Sequence, residues 1–427
     1  MANTYLTRTP TTENINKLTL SCWVKRSSLT SSAQRIFSST SSEYLFYRFD
    51  SNEKFRFTIV VDGSETTLRT ERVFRDTSAW YNIVVRWDTT QSTEADRIQI
   101  WVNGVRETSF SLATYPALNS TSDMFNSGTP FEIGRYDTGN SEYFDGSLSH
   151  LHCCSGYAYD ASYFGSTDAN GVWKINTSPS VTYGTNGFFI LKDGNSVTDQ
   201  SGEGNNFTVG GGTLTNTEDS PSNVFVTANP LNKTSNILLA NGNCSVGTSN
   251  TGTDEYISGT IAFGNGKYYW ENKITSPGDP AIGIVPAEYN NNQIGNQRVM
   301  YHENGTIYSD GLGISSISTG VTYTSGDIIS VAFDTENGII KWYKNNTLVN
   351  NSTITNSQLE FSNKLWVPIF YCANGNGTAT IQANFGNGYF GTTAVASAGT
   401  NASGNGIFEY DVPTGYTALC TKGLNGE

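Results

Sequence analysis

Gly326-Asp-Ile-Ile-Ser-Val-Ala-Phe-Asp-Thr-Glu-Asn-Gly-Ile-Ile-Lys-Trp-Tyr-Lys-Asn-Asn346 is the stretch from which the architecture follows. Two apolar runs, Ile328 to Phe333 and Ile339 to Tyr343, flank Asp334-Thr-Glu-Asn-Gly338. Short apolar runs separated by turn residues predict an antiparallel hairpin. Asn337-Gly338 is suited to the positive φ of that turn, and Asn345-Asn346 to the next corner. Alternation then puts Ile340 and Trp342 on one face, with Lys341 and Tyr343 on the other. A looser copy of the plan lies upstream, at Val84-Val-Arg-Trp-Asp88 and Ile98-Gln-Ile-Trp-Val-Asn-Gly104. Each copy has a strand ending in Asp, a polar turn, a strand carrying Trp, and an Asn-led turn. The chain therefore reads as all-β, with two antiparallel β-sandwiches in tandem.

The bulk properties agree. A chain of 427 residues exceeds what one core organises, so two or three domains are expected. Its 43 glycines against 11 prolines, with abundant Tyr and Phe, suit short strands joined by tight turns. A net charge of −13 with only 15% charged residues argues against a nucleic-acid partner, which needs Lys and Arg against phosphate. The same balance disfavours an anionic membrane and leaves uncharged glycan or another protein as the expected partner. The N-terminus shows no apolar signal core and no run is long enough for a membrane span, so neither secretion nor insertion is expected. Cys22, Cys153, Cys154, Cys244, Cys372 and Cys420 are scattered, which predicts buried free thiols and folding in a reducing cytoplasm.

The first unit is expected over residues 1–165. Alternation puts Leu18, Leu20, Cys22 and Val24 on one face, and Tyr81, Ile83, Val85 and Trp87 on another, opposite Asn82 and Arg86. Tyr44 to Phe49 and Phe55 to Val61 read as aromatic-rich strands, the second closed by Asp62-Gly63. The succession Leu18-Thr-Leu-Ser-Cys-Trp-Val24, Trp80-Tyr-Asn-Ile-Val-Val-Arg-Trp-Asp88, Ile100-Trp-Val-Asn-Gly104, Ile133-Gly-Arg135 and Phe144-Asp-Gly-Ser-Leu148 resembles the laminin G-like, concanavalin A-like lectin/glucanase domain. That resemblance implies a jelly roll of two large sheets whose rim and concave face bind glycans or proteins. Tyr157 to Gly165 would be its short closing helix, with Asp160 as N-cap.

Residues 166–232 read as a connector with one strand, Gly187 to Leu191. Trp173, Phe188, Phe189 and Phe207 are too apolar for a free linker, so it is expected to pack on the first sandwich. Residues 233–427 form the second expected unit. Gly266-Lys-Tyr-Tyr-Trp-Glu271, Ala281-Ile-Gly-Ile-Val285, the opening hairpin, Leu365-Trp-Val-Pro-Ile-Phe-Tyr371 and Thr380-Ile-Gln-Ala-Asn-Phe-Gly386 succeed one another as in the SPRY domain. It departs in having Asn346 where the family usually has Gly, a small change because Asn tolerates the left-handed region. That resemblance implies a non-catalytic sandwich that recognises protein partners through loops at one end. The connector start Phe164 to Trp173 and the tail Tyr410-Asp-Val-Pro-Thr-Gly-Tyr-Thr-Ala-Leu-Cys420 complete the pattern. Together with the two domains they resemble virion proteins of tailed phages. This implies a virion component made in the bacterial host cytoplasm: a tail fibre or host-attachment adhesin, or alternatively a head-decoration or tail-assembly protein that binds other virion subunits. Its partners would be other virion proteins and a host surface glycan or protein. Trimers are common in fibres, but no heptads write one here.

Catalytic signals are sparse. Glucanases of this fold use Glu-x-Asp-x-x-Glu to set a carboxylate pair, whereas Glu94-Ala-Asp-Arg-Ile-Gln99 ends in Gln, which cannot act as a general acid. A solvated turn is the expected reading, and no enzyme is expected. His150, His152 and Cys154 alternate on one expected strand, yet no further donor completes a zinc set. Asp137 and Asp145 fall where laminin G-like domains sometimes hold calcium, but they share no loop. No metal and no cofactor are expected. Candidate ligand contacts are aromatic, as apolar sugar faces require: Trp101, Tyr136 and Tyr143 in the first unit, and Tyr289, Tyr301, His302 and Tyr308 in the second. Trp87, Trp270 and Trp342 are assigned to the core.

Overall fold

The computed structural model describes residues 3–39, 43–136, 141–192, 196–248, 253–289, 298–309, 316–350, 352–355, 364–372 and 379–426. They form two compact units, Met1–Asn216 and Thr217–Glu427. Each unit is built on two antiparallel sheets. Of the segment expected as a connector, residues 166–216 thus belong to the first unit and 217–232 to the second.

The first unit pairs an eight-stranded sheet with a six-stranded one. The larger runs Phe110–Thr114, Ser64–Val73, Lys54–Val61, Leu45–Phe49, Gln34–Ser39, Phe131–Ile133, Tyr5–Arg8, Thr208–Gly211. The smaller runs Val105–Arg106, Ile98–Val102, Tyr81–Asp88, Lys17–Arg26, Gly146–Ser155, Phe188–Ile190. Alternation dictates the interior: Tyr47, Phe49, Phe55, Phe57 and Phe131 from one sheet meet Leu18, Leu20, Val24, Ile83, Val85 and Trp87 from the other. Asp62 and Gly63 take φ of 50° and 71°, both central residues in the sense a two-residue hairpin needs. The connector's Phe188–Ile190 joins the smaller sheet beside Gly146–Ser155. Its Trp173, Tyr183 and Phe189 close over that sheet's outer face, where with Val84, Trp101, Cys154 and Phe164 they make a second apolar layer. The expected helix is one 3-10 turn, Ala161–Tyr163, whose cap Asp160 accepts from Ser162 N at 2.9 Å.

The histidine strand differs from expectation. The register slips between Ser149 and His152, and His150 sits at φ 48° in the resulting bulge. The two imidazoles therefore do not alternate regularly along a strand. His152 is buried with Nδ1 3.0 Å from the Tyr183 hydroxyl, and burial pushes its pKa down.

In the second unit one sheet of seven strands runs Ala228–Lys233, Glu255–Gly259, Trp366–Cys372, Pro280–Pro286, Val299–His302, Thr306–Ser309, Ile317–Ser318. The other runs Ile237–Ala240, Ser245–Thr248, Thr380–Asn384, Lys267–Ser276, Ile328–Asp334, Ile339–Lys344, Thr347–Leu348, with Thr417–Ala418 added parallel to Lys267–Ser276. The opening hairpin has the predicted phase: Ile340 and Trp342 are in the core, and Tyr343 is on the opposite face. Its turn takes positive φ at Gly338 alone, while the Asp334 carboxylate accepts from Asn337 N and Nδ2; Asn345 and Asn346 are both left-handed. Gly283 is required by packing. A Cβ there would lie 1.7 Å from the Val299 carbonyl oxygen on the adjacent strand. Gly283→Ala should therefore lower the stability of this unit by about 1–3 kcal/mol, read as a lower urea midpoint.

The tail straps the outer face of the sheet holding the hairpin. Phe408, Val412, Ala418 and Cys420 pack there with Phe225, Tyr269 and Ala332. Beneath it the buried Glu271 carboxylate accepts from Glu409 N and Tyr410 N, each at 2.9 Å, from Tyr269 Oη at 3.0 Å and from Asn384 Nδ2 at 3.3 Å. Burial outweighs these donors and raises the pKa from the ordinary 4.5 to about 7. The folded form then holds a proton that the unfolded chain releases. This stabilisation is complete below pH 4.5 and is lost as pH rises through about 7. A loss of roughly 3 kcal/mol across that window is expected, and Glu271→Gln should flatten it in pH-dependent urea denaturation.

Candidate functional site

Three of the four outer sheet faces carry a second apolar layer of described residues. The outer face of the eight-stranded sheet in the first unit is built differently. Phe46, Arg48, Lys54, Arg56, Thr58, Glu65, Thr67, Arg69 and Glu71 are the outward members of alternating strands whose inward members fill the core. Register then aligns them. Arg35 pairs with Arg48, Arg48 with Arg56, and Arg56 with Arg69, a row of four arginines on four adjacent strands. A parallel row runs Ser38, Phe46, Thr58, Thr67, Thr114.

Like charges directly opposed across a sheet repel, so the row needs counter-charges. Arg48 Nε donates to Asp50 Oδ1 at 2.8 Å and its Nη1 to Glu142 Oε2 at 3.3 Å. Arg35 Nε also donates to Glu142. Arg56 Nη2 donates to Glu65 Oε1 at 2.6 Å and its Nε to Thr58 Oγ1 at 3.0 Å. Arg69 Nε donates to Ser111 Oγ at 3.0 Å, and its Nη1 lies 3.7 Å from Asp50. One end is aromatic. The Arg35 guanidinium lies 3.7 Å over Phe46 and 3.9 Å over Tyr136, and Tyr44 stacks on Phe46 at 4.6 Å. Burial lowers the Arg35 pKa without discharging it, since Glu142 holds the charged form.

Of the residues singled out from sequence, Tyr136 and Tyr143 both sit beside Arg35, Tyr143 through a parallel bridge. Two assignments are corrected. Trp101 points outward as its phase predicts, but the connector's aromatics bury it to 9% exposure. Tyr301 is core, not loop: it lies in Val299–His302, its ring faces the interior, and its hydroxyl donates to the Val321 carbonyl. A side chain sealed in this way packs rather than touches a ligand. Tyr289, His302 and Tyr308 all lie on the outer side of the seven-stranded sheet. Tyr289 packs on a cluster containing Met300, Tyr256 and Tyr371, while His302 lies 4.7 Å from the Tyr308 ring and 5.2 Å from Tyr371. The Tyr371 and Tyr256 hydroxyls donate to Asp254 at 2.8 and 3.2 Å, and burial raises the Tyr256 pKa to about 12.

Glu94 and Asp96 lie in the 3-10 turn Glu94–Asp96, where the Asp96 carboxylate accepts from Gln99 at 2.7 Å and from Arg106 at 2.9 Å. The Arg106 bond comes first in holding its pKa below the usual range. No group of three or more His, Cys, Asp or Glu side chains suited to a metal ion occurs among the described residues; Asp137 lies outside them. The sequence reading missed the four arginines. Each reads as an ordinary outward residue of its own strand, and only register makes them neighbours.

Residues 2–156 match the concanavalin A-like lectin/glucanases superfamily, and residues 267–388 match the SPRY domain. No curated protein matches the chain. Similar solved structures include the SPRY domain of human HERC1, at 17% identity and TM-score 0.29, covering 36% of this chain and 96% of that one. The PSpry domain of TRIM65 is 15% identical at TM-score 0.29, covering 37% and 91%. The native heptameric SAP-like pentraxin from Limulus polyphemus is 16% identical at TM-score 0.29, covering 50% and 91%.

Proposed function

We propose that this chain is a non-catalytic virion protein of a tailed phage, a tail-fibre or receptor-binding adhesin that holds a host surface glycan or protein. Its content of one lectin-like and one SPRY domain supports a binding role. The observation that carries the reading is the polar sheet face of the first unit. There, charged, hydroxyl and aromatic side chains lie together on a broad surface, as recognition of hydroxyl-rich molecules requires. The reading is tested on the virion. Gold-labelled antibody to this chain should mark tail tips in electron micrographs, and the purified chain should block phage adsorption to host cells.

The SPRY match favours a second reading for the other unit, a grip on neighbouring virion subunits. A label confined to the head shell, with adsorption unaffected, selects that structural role for the whole protein and removes the adhesin.

A further inference from the structure

Four guanidinium charges in the row Arg35, Arg48, Arg56, Arg69 face three carboxylates, Asp50, Glu65 and Glu142. Lys54 and Glu71 beside them cancel at 2.6 Å. On a chain of net charge −13 the row thus keeps one guanidinium charge in excess of its carboxylates. The donors also outnumber their acceptors. Arg35 is 3% exposed, yet its Nη1 has no hydrogen-bond partner, and a buried polar group without a partner calls for an explanation. Arg48, Arg56 and Arg69 keep side-chain exposures of 15%, 18% and 30%, so their guanidiniums lie along the surface within reach of a ligand.

We propose that this face binds an anionic polysaccharide, its carboxylate or sulfate groups held by Arg48, Arg56 and Arg69 and its sugar faces laid against Tyr44 and Tyr136. This rests on the adhesin reading and gives it a ligand class. The planar fork of Arg matches the two oxygens of a carboxylate or sulfate, which a lysine does not. The row crosses the strands at the sheet repeat of roughly 4.8 Å, so successive guanidiniums follow one another across the face as the charges of an extended polymer do. An acidic peptide fits less well, because peptides add to sheet edges through backbone pairing and this row lies on a face. Glu65 is the built-in competitor: 43% exposed in its side chain, it occupies the Arg56 fork that the ligand's anion would take.

The test uses the full-length chain, host cells and three polysaccharides, one bearing uronates, one sulfated and one neutral. Binding is measured by calorimetry at low and raised salt. One acidic polymer should bind, more weakly as salt rises, and the better of the two identifies the anion. Arg56→Gln with Arg69→Gln should weaken it at least tenfold. Glu65→Gln should tighten it several-fold, a gain that misfolding cannot imitate. Equal binding of the neutral polymer, or indifference to these substitutions while host cells are still bound, overturns this proposal and leaves the adhesin standing. DNA or an acidic peptide captured through the same arginines also overturns it. Failure to bind either polysaccharide or host cells overturns both readings.

Discussion

Trp342→Ala is expected to lower the stability of the second unit by about 3–5 kcal/mol, the range for removing a large aromatic from a packed core. Trp342 has no exposed surface, lies 6.3 Å from the Tyr301 ring, and donates its indole N–H to the Ile282 carbonyl at 3.1 Å. That last bond links the two sheets, because Ile282 belongs to Pro280–Pro286 and Trp342 to the facing hairpin. Alanine leaves a cavity and removes the indole bond to the Ile282 carbonyl, two costs that add. Trp342→Phe keeps most of the volume and should lose about half as much. Hydrogen exchange resolved by peptide is the measurement: protection should fall across 267–276 and 328–344 and stay unchanged across 17–26. Uniform loss in both regions would contradict the division into two separately cored units.

Arg26→Ala should cost the first unit a similar amount, about 3–5 kcal/mol, by stranding a buried carboxylate. Arg26 is 1% exposed. Its Nη1 donates to Glu53 and to the Phe74 carbonyl at 2.8 Å, its Nη2 donates to Gln34 Oε1 at 3.0 Å, and its guanidinium lies 4.6 Å over Phe49. The loss is electrostatic, so neutralising the abandoned partner should return most of it. Arg26→Ala with Glu53→Gln is expected to lie well above Arg26→Ala alone in urea midpoint. An equal loss in the double variant would mean that packing, and not charge, makes the contribution.

The hairpin around Trp342 and the strand holding Trp87 were legible because their periodicity and turn residues agree, and each level of sequence evidence points to the same pairing. The docking of residues 217–232 was less so. Phe225 is as apolar as Phe188, and composition says that such a segment is buried without saying against which unit. Phe225 packs beside the C-terminal tail, whereas Phe188 joins the core of the first unit. Trp101 shows the same limit on one side chain. Its outward phase was readable, but the layer placed over it by Phe164, Tyr183 and Phe189 comes from far along the chain. The arginine row was the least visible feature, since Arg35 and Arg69 become parts of one surface only through three successive strand registers.

The proposed adhesin binds host surface polysaccharide and does not cut it. Purified chain incubated with host surface polysaccharide, followed for bound polymer and for new reducing ends in one tube, tests it most directly. Saturable binding with no reducing ends above the buffer control is the predicted result. Steady release of reducing ends, abolished by Glu94→Gln or Asp96→Asn, would contradict the account.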